Sequence, residues 1–150
     1  MPDHSRTEVV DAPPATIFAI LDDVTRAPEW LKRCTQLDNV TGGPTAVGTK
    51  LRYHYKDGGR TGVMDGEVVA REPDRKLTNH FVDKMMEVTV DFDVQPGPSA
   101  TQTRLTHTIT IRTKGFGKAL TPMINRQLPG QTESAMTELK RLAESESPSA

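Results

Sequence analysis

The hydrophobic period of the chain changes twice. Ser5 to Asp11 is a short extended segment with Val9 and Val10, closed by Ala12-Pro13-Pro14, where proline removes the donor a strand would need. Pro14 suits the first turn of a helix, and Ile17, Phe18, Ile20 and Leu21 then make one apolar face that should end near Asp22-Asp23. Arg26 to Lys32, with Pro28, Trp30 and Leu31, reads as a second, shorter helix whose tryptophan packs inward.

From Cys34 to Thr113 the period is 2, and six strands are predicted: Cys34–Thr41, Thr49–Tyr55, Gly62–Arg71, Lys76–Val82, Glu87–Gln95 and Gln102–Thr113. Asp57-Gly58-Gly59 is a hairpin signal, and Pro73-Asp74 and Pro96-Gly97-Pro98-Ser99 are turns. The alternation predicts which side chains share a face. Leu51, Tyr53 and Tyr55 oppose Lys50, Arg52 and His54; Met64 and Val68 oppose Asp65 and Glu67. Val88, Val90, Phe92 and Val94 oppose Glu87, Thr89, Asp91 and Asp93, while Leu105, His107, Ile109 and Ile111 oppose a row of Thr and Arg. One face of the sheet is therefore wet.

The helical period returns after Gly115 and Gly117, with Phe116, Leu120, Ile124, Leu128, Gln131, Ala135, Leu139 and Leu142 on one stripe. Thr121-Pro122 is a good N-cap and first-turn pair, and Pro129-Gly130 should kink or break the helix. Glu144 to Ala150 reads as a frayed polar tail, and residues 1–150 as a single domain. A strand, two short helices, six antiparallel strands and a long helix form an order in which the helix can lie across a curved sheet and enclose a space.

Composition narrows the partners. The 19 Lys and Arg against 20 Asp and Glu give a formal charge of −1, which leaves no excess for a polyanion and argues against nucleic acid. The longest apolar run, Ile17 to Leu21, is far too short for membrane insertion or a signal peptide, so the cytoplasm is the expected compartment. One cysteine, Cys34, excludes an intrachain disulfide framework and reads as a small buried hydrophobe. With only 4 Phe, 2 Tyr and 1 Trp, few aromatics are available to fill the gap between sheet and helix.

Ala12-Pro13-Pro14-Ala15-Thr16-Ile17-Phe18-Ala19-Ile20-Leu21-Asp22-Asp23, followed by Pro28-Glu29-Trp30-Leu31, resembles the START-like or Bet v 1-like (SRPBCC) helix-grip superfamily, in particular its bacterial polyketide cyclase/dehydrase branch. Val47-Gly48-Thr49, Glu72-Pro73-Asp74-Arg75-Lys76-Leu77 and Leu139-Lys140-Arg141-Leu142 extend the resemblance over nearly the whole chain. It implies an α+β helix-grip fold: a curved seven-stranded antiparallel sheet wrapped around a long C-terminal helix, with two short helices after strand 1. The motifs are structural and speak to fold more than to chemistry.

Several chemical look-alikes fail. Gly43-Pro44-Thr45-Ala46-Val47-Gly48-Thr49-Lys50 has Thr-Lys where a phosphate loop needs Lys-Ser/Thr, and a strand follows it. Gly115-Phe116-Gly117 lacks the third glycine of a dinucleotide fingerprint, and no Gly-x-Ser-x-Gly elbow exists. His4, His54, His80 and His107 show no paired ligand spacing, so no metal and no other cofactor is expected. Arg26, Lys32 and Arg33 read as a solvated face. His107 interrupts an apolar face, either as a core histidine bonded to a neighbouring hydroxyl or as a ligand contact or proton donor in a pocket. Asn79 shares a face with Leu77 and Phe81, although His80 and Val82 make an equally good inner face. Met64, Met123 and Met136 fall at or beside inward positions.

The predicted ligand-binding set is Tyr53, Tyr55, Met64, Asn79, Phe81, Val90, Phe92, His107, Ile109 and Met123, with His107 as the catalytic candidate. The first functional reading is a monomer or homodimer that binds a small hydrophobic molecule, such as a lipid, an aromatic metabolite or a polyketide-like ring system. The second, implied by the branch, is a cyclase/dehydrase in which His107 and a tyrosine act as acid and base. The third is an interaction module acting on ribosomes or a toxin partner.

Overall fold

A computed structural model describes residues 3–57 and 59–146. Strand β1 is Asp3–Val10, followed by helix α1, Pro14–Asp22, a 3-10 turn at Val24–Arg26 and helix α2, Ala27–Trp30. Strands β2 to β7 are Cys34–Asn39, Lys50–Asp57, Arg60–Glu72, Lys76–Val82, Met86–Pro96 and Thr103–Thr113. A 3-10 segment, Gly115–Leu120, leads into helix α3, Thr121–Glu146. All strand pairs are antiparallel, in the order β1-β7-β6-β5-β4-β3-β2. The helices α1 and α2 carry the chain from one edge of the sheet to the other, and the curved sheet wraps around α3 as the helix-grip expectation requires.

Local chemistry explains where the elements differ from the sequence pattern. β2 ends at Asn39, two residues before the predicted Thr41, because the Asn39 side chain donates to Gly43 O (2.9 Å) and accepts from Gly42 N (2.8 Å). Gly42 and Gly43 have φ of 84° and 74°, a conformation that ends the strand in a turn. The predicted turn at Asp57-Gly58-Gly59 includes Gly58, which lies outside the described residues. Thr121 is not an N-cap: it is helical (φ −52°), and its hydroxyl is 2.9 Å from that of Thr113. Phe116 does not join the apolar stripe of α3 and is 92% exposed.

Pro129 lies inside α3 and does not break it. An interior proline costs a helix about 3 kcal/mol locally. Buried contacts on both sides of it, from Ile124 and Leu128 to Thr132, Ala135, Met136 and Leu139, outweigh that cost. Of the expected frayed tail, Glu144–Glu146 are instead helical. Glu144 accepts from the Asp11 amide (2.9 Å) and from Lys140 (2.7 Å), and Glu146 pairs with Arg26, which also holds Glu29. Residues 147–150 lie outside the described set.

The core gathers α1, the C-terminal half of α3 and the inner face of the sheet, with Ile17, Leu105 and Leu139 wholly buried. Arg71 fastens α1 to β4 through two bonds to Asp22 (2.9 and 2.8 Å), its guanidinium 5.4 Å from the Phe18 ring centre. Gly130 is exposed on α3, and a Cβ there would meet open space. Gly130→Ala should therefore raise unfolding stability by about 1 kcal/mol, read from the midpoint of urea denaturation at unchanged slope.

Candidate functional site

Between α3 and the inner face of the sheet lies a cavity of about 680 Å³. All ten side chains of the predicted ligand-binding set stand in its wall: Tyr53 and Tyr55 from β3, Met64 from β4, Asn79 and Phe81 from β5, Val90 and Phe92 from β6, His107 and Ile109 from β7, and Met123 from α3. The choice left open on β5 falls to the Leu77, Asn79 and Phe81 face. His80 lies on the outer face, 3.2 Å from the Thr89 hydroxyl and 3.9 Å from Glu87. Met123 is 40% exposed, so it belongs to the cavity's open end. Met136 is buried in the core and is not part of the wall.

The wall is partly built by strand register. Tyr55 faces Gly62 and Phe81 faces Gly66, and each ring lies in the space a Cβ on that glycine would take. Tyr53 packs between these rings, 6.1 Å from Tyr55 and 5.5 Å from Phe81. A second aromatic row runs from Trp30, edge-on to Phe92 at 5.5 Å, to His107, stacked on Phe92 at 4.2 Å and 6°.

Among the described residues four buried side-chain polar atoms have no hydrogen-bond partner: Trp30 Nε1, Asn79 Oδ1, His107 Nε2 and Ser134 Oγ. All four belong to residues of the cavity wall. An orphaned buried polar group costs on the order of 1–3 kcal/mol, so their gathering around one cavity needs an explanation.

His107 is 1% exposed and has no hydroxyl partner. Its Nδ1 donates over a long 3.4 Å to the carbonyl of Asp91, whose carboxylate is engaged elsewhere, by the Thr78 hydroxyl and by Lys76 at 3.2 Å. Because a carbonyl only accepts, Nδ1 holds the proton and Nε2 keeps the lone pair. Burial holds the imidazole down at about 4, with the Asp91 carbonyl and charge opposing the shift and His4 adding slightly to it. At neutral pH the ring is thus an acceptor or base, not the proton donor of one sequence-based reading. Burial pushes the Tyr53 phenol well above its usual range, so it stays protonated and able to donate. Burial likewise raises the Cys34 thiol to about 11, which keeps it an inert apolar group.

Trp30, Gln127, Gln131 and Ser134 also line the cavity and are not in the predicted ligand-binding set, although Gln131 falls on the predicted inward stripe of α3 and Trp30 is expected to pack inward. Gln131 is the polar interruption of an otherwise apolar helical stripe, the same signal that singled out His107 on β7. Lys32 and Arg33 also line the cavity, rather than only a solvated face. Among the described residues, no group of three or more His, Cys, Asp or Glu is placed to hold a metal ion, and no helix is long and apolar enough to cross a membrane.

Known proteins place this architecture. A START superfamily protein from Mycobacterium smegmatis superposes with a TM-score of 0.76 at 19% identity, covering 95% of this chain and 97% of that one. A protein from Thermus thermophilus gives 0.77 at 16% identity, covering 96% and 98%. The Zhui aromatase/cyclase from Streptomyces sp. R1128 gives 0.76 at 15% identity, covering 95% and 93%. At these identities the likeness is one of fold. No curated protein matches the sequence. Residues 1–144 match the family described as polyketide cyclase/dehydrase and lipid transport, and the chain belongs to that family.

Proposed function

We propose that the protein binds a small hydrophobic molecule in the cavity between the sheet and α3. The observation that carries this reading is the coincidence of an apolar-walled space of about 680 Å³ with all four orphaned buried polar atoms of the described residues. Pockets of this size hold drug-sized molecules, with affinity from apolar burial and orientation from a few polar groups. In this reading Val90, Phe92 and Ile109 supply apolar contact, while Tyr53 donates and Asn79 and His107 accept. The polar groups orient a ligand rather than turn it over: burial holds the His107 imidazole down at about 4 and its Nδ1 is bonded to a backbone carbonyl, not a carboxylate, which leaves it a weak base for the proton abstraction a cyclase/dehydrase needs.

Titration with the neutral dye N-phenyl-1-naphthylamine tests the proposal. A blue-shifted, saturable signal with one site per chain is expected, and native mass spectrometry of the freshly purified protein should show a small copurifying hydrophobe. Absence of both a bound hydrophobe and saturable dye binding would overturn it.

A further inference from the structure

We propose that the ligand is an amphipathic anion, whose apolar body fills the cavity and whose negatively charged group sits at a cationic rim; this rests on the binding reading above. Four cations line the cavity at residues that reach the surface: Lys32, Arg33, Arg60 and Arg126. Three contacts bring them to one end. The Lys56 amide donates to Arg33 O (2.9 Å), joining the segment after α2 to the end of β3, and the β3–β4 pairing there runs on to Arg60. Arg33 Nη2 donates to Gln127 Oε1 (3.4 Å), joining the same segment to α3 beside Arg126. Among the described residues no carboxylate forms an ion pair with Lys32, Arg60 or Arg126.

The carboxylates that line the cavity, Asp23 and Asp83, are held in local turns. Asp23 accepts from the amide and hydroxyl of Thr25, and Asp83 accepts from the amides of Met85 and Met86. The chain as a whole carries one more acid than base, so this excess of cations is local and not a reflection of composition. The interior offers no cation of its own, since burial keeps His107 neutral. A ligand with an anionic group therefore gains by placing that group outward, where it stays partly hydrated beside the cations, and its apolar part inward.

Two dyes with the same anilinonaphthalene body separate the rim from the cavity. 1-Anilinonaphthalene-8-sulfonate carries a sulfonate that N-phenyl-1-naphthylamine lacks. In the triple variant Lys32→Gln, Arg60→Gln, Arg126→Gln, the affinity for the anionic dye should fall roughly tenfold at low ionic strength while that for the neutral dye holds. Raising salt to about 0.5 M should reproduce most of that loss in the unsubstituted protein. Equal effects on both dyes, or none on the anionic one, would overturn the inference while leaving the binding reading intact. Failure of the unsubstituted protein to bind the neutral dye, with no copurifying hydrophobe, would remove the cavity reading and this inference with it. Ser134→Phe should weaken both dyes by roughly 70-fold; an anionic-dye affinity that it leaves unchanged would place that dye outside the cavity and also overturn the inference.

Discussion

Lowering the pH from 7 to 4 should remove about 3 kcal/mol of folding stability through His107 alone. The imidazole is held at about 4 in the folded chain against an ordinary 6.5, so the unfolded chain takes up the proton first. Above pH 6.5 both states are neutral at this residue and it makes no pH-dependent contribution. Between about 6.5 and 4 the folded state loses roughly 1.4 kcal/mol per pH unit, and below 4 the folded ring also protonates and the loss levels off. His107→Leu removes the titrating group together with the orphaned Nε2. Urea denaturation of both proteins across pH 4 to 7 isolates the effect, because carboxylates elsewhere contribute equally to each. Parallel stability profiles would show that His107 is not sealed as its 1% exposure indicates.

Ser134→Phe should weaken binding of a cavity-filling hydrophobe by roughly 70-fold. A phenyl ring at this position on α3 displaces on the order of 100 Å² of ligand contact, about 2.5 kcal/mol at ~25 cal/mol per Å². The same change removes an unsatisfied hydroxyl and adds apolar volume to an open space, so stability should hold or rise. Neutral-dye titration and a denaturation midpoint read the two quantities separately. Unchanged dye affinity with a folded protein would place the ligand elsewhere.

Much of this architecture was legible because strand alternation has a period of 2 and one face is wet. A single phase choice per strand places Tyr53, Tyr55, Val90, Phe92, His107 and Ile109 on the inner side, and the structure puts each in the cavity wall. On β5 the signal was ambiguous because Leu77, Asn79, Phe81 and His80, Val82 are nearly balanced, and only pairing with β4 and β6 decides it. The helical parts were harder to read. Pro129-Gly130 is a strong local stop that tertiary burial overrides, and Phe116 fits the stripe by spacing but lies in a 3-10 segment with a different rotation per residue. The cationic rim was not legible at all. Lys32 and Arg33, Arg60, and Arg126 are far apart in the chain and meet only once the β3–β4 hairpin, the segment after α2 and α3 converge.

The two glycines of β4 set the dimensions of what can enter. At Gly62 and Gly66 the rings of Tyr55 and Phe81 lie flat against bare backbone. A methyl group at either position would force its ring away from the strand and into the cavity. The clearance above that part of the sheet is thus governed by two hydrogen atoms, and replacing one of them would narrow the range of acceptable guests without touching any group that recognises them.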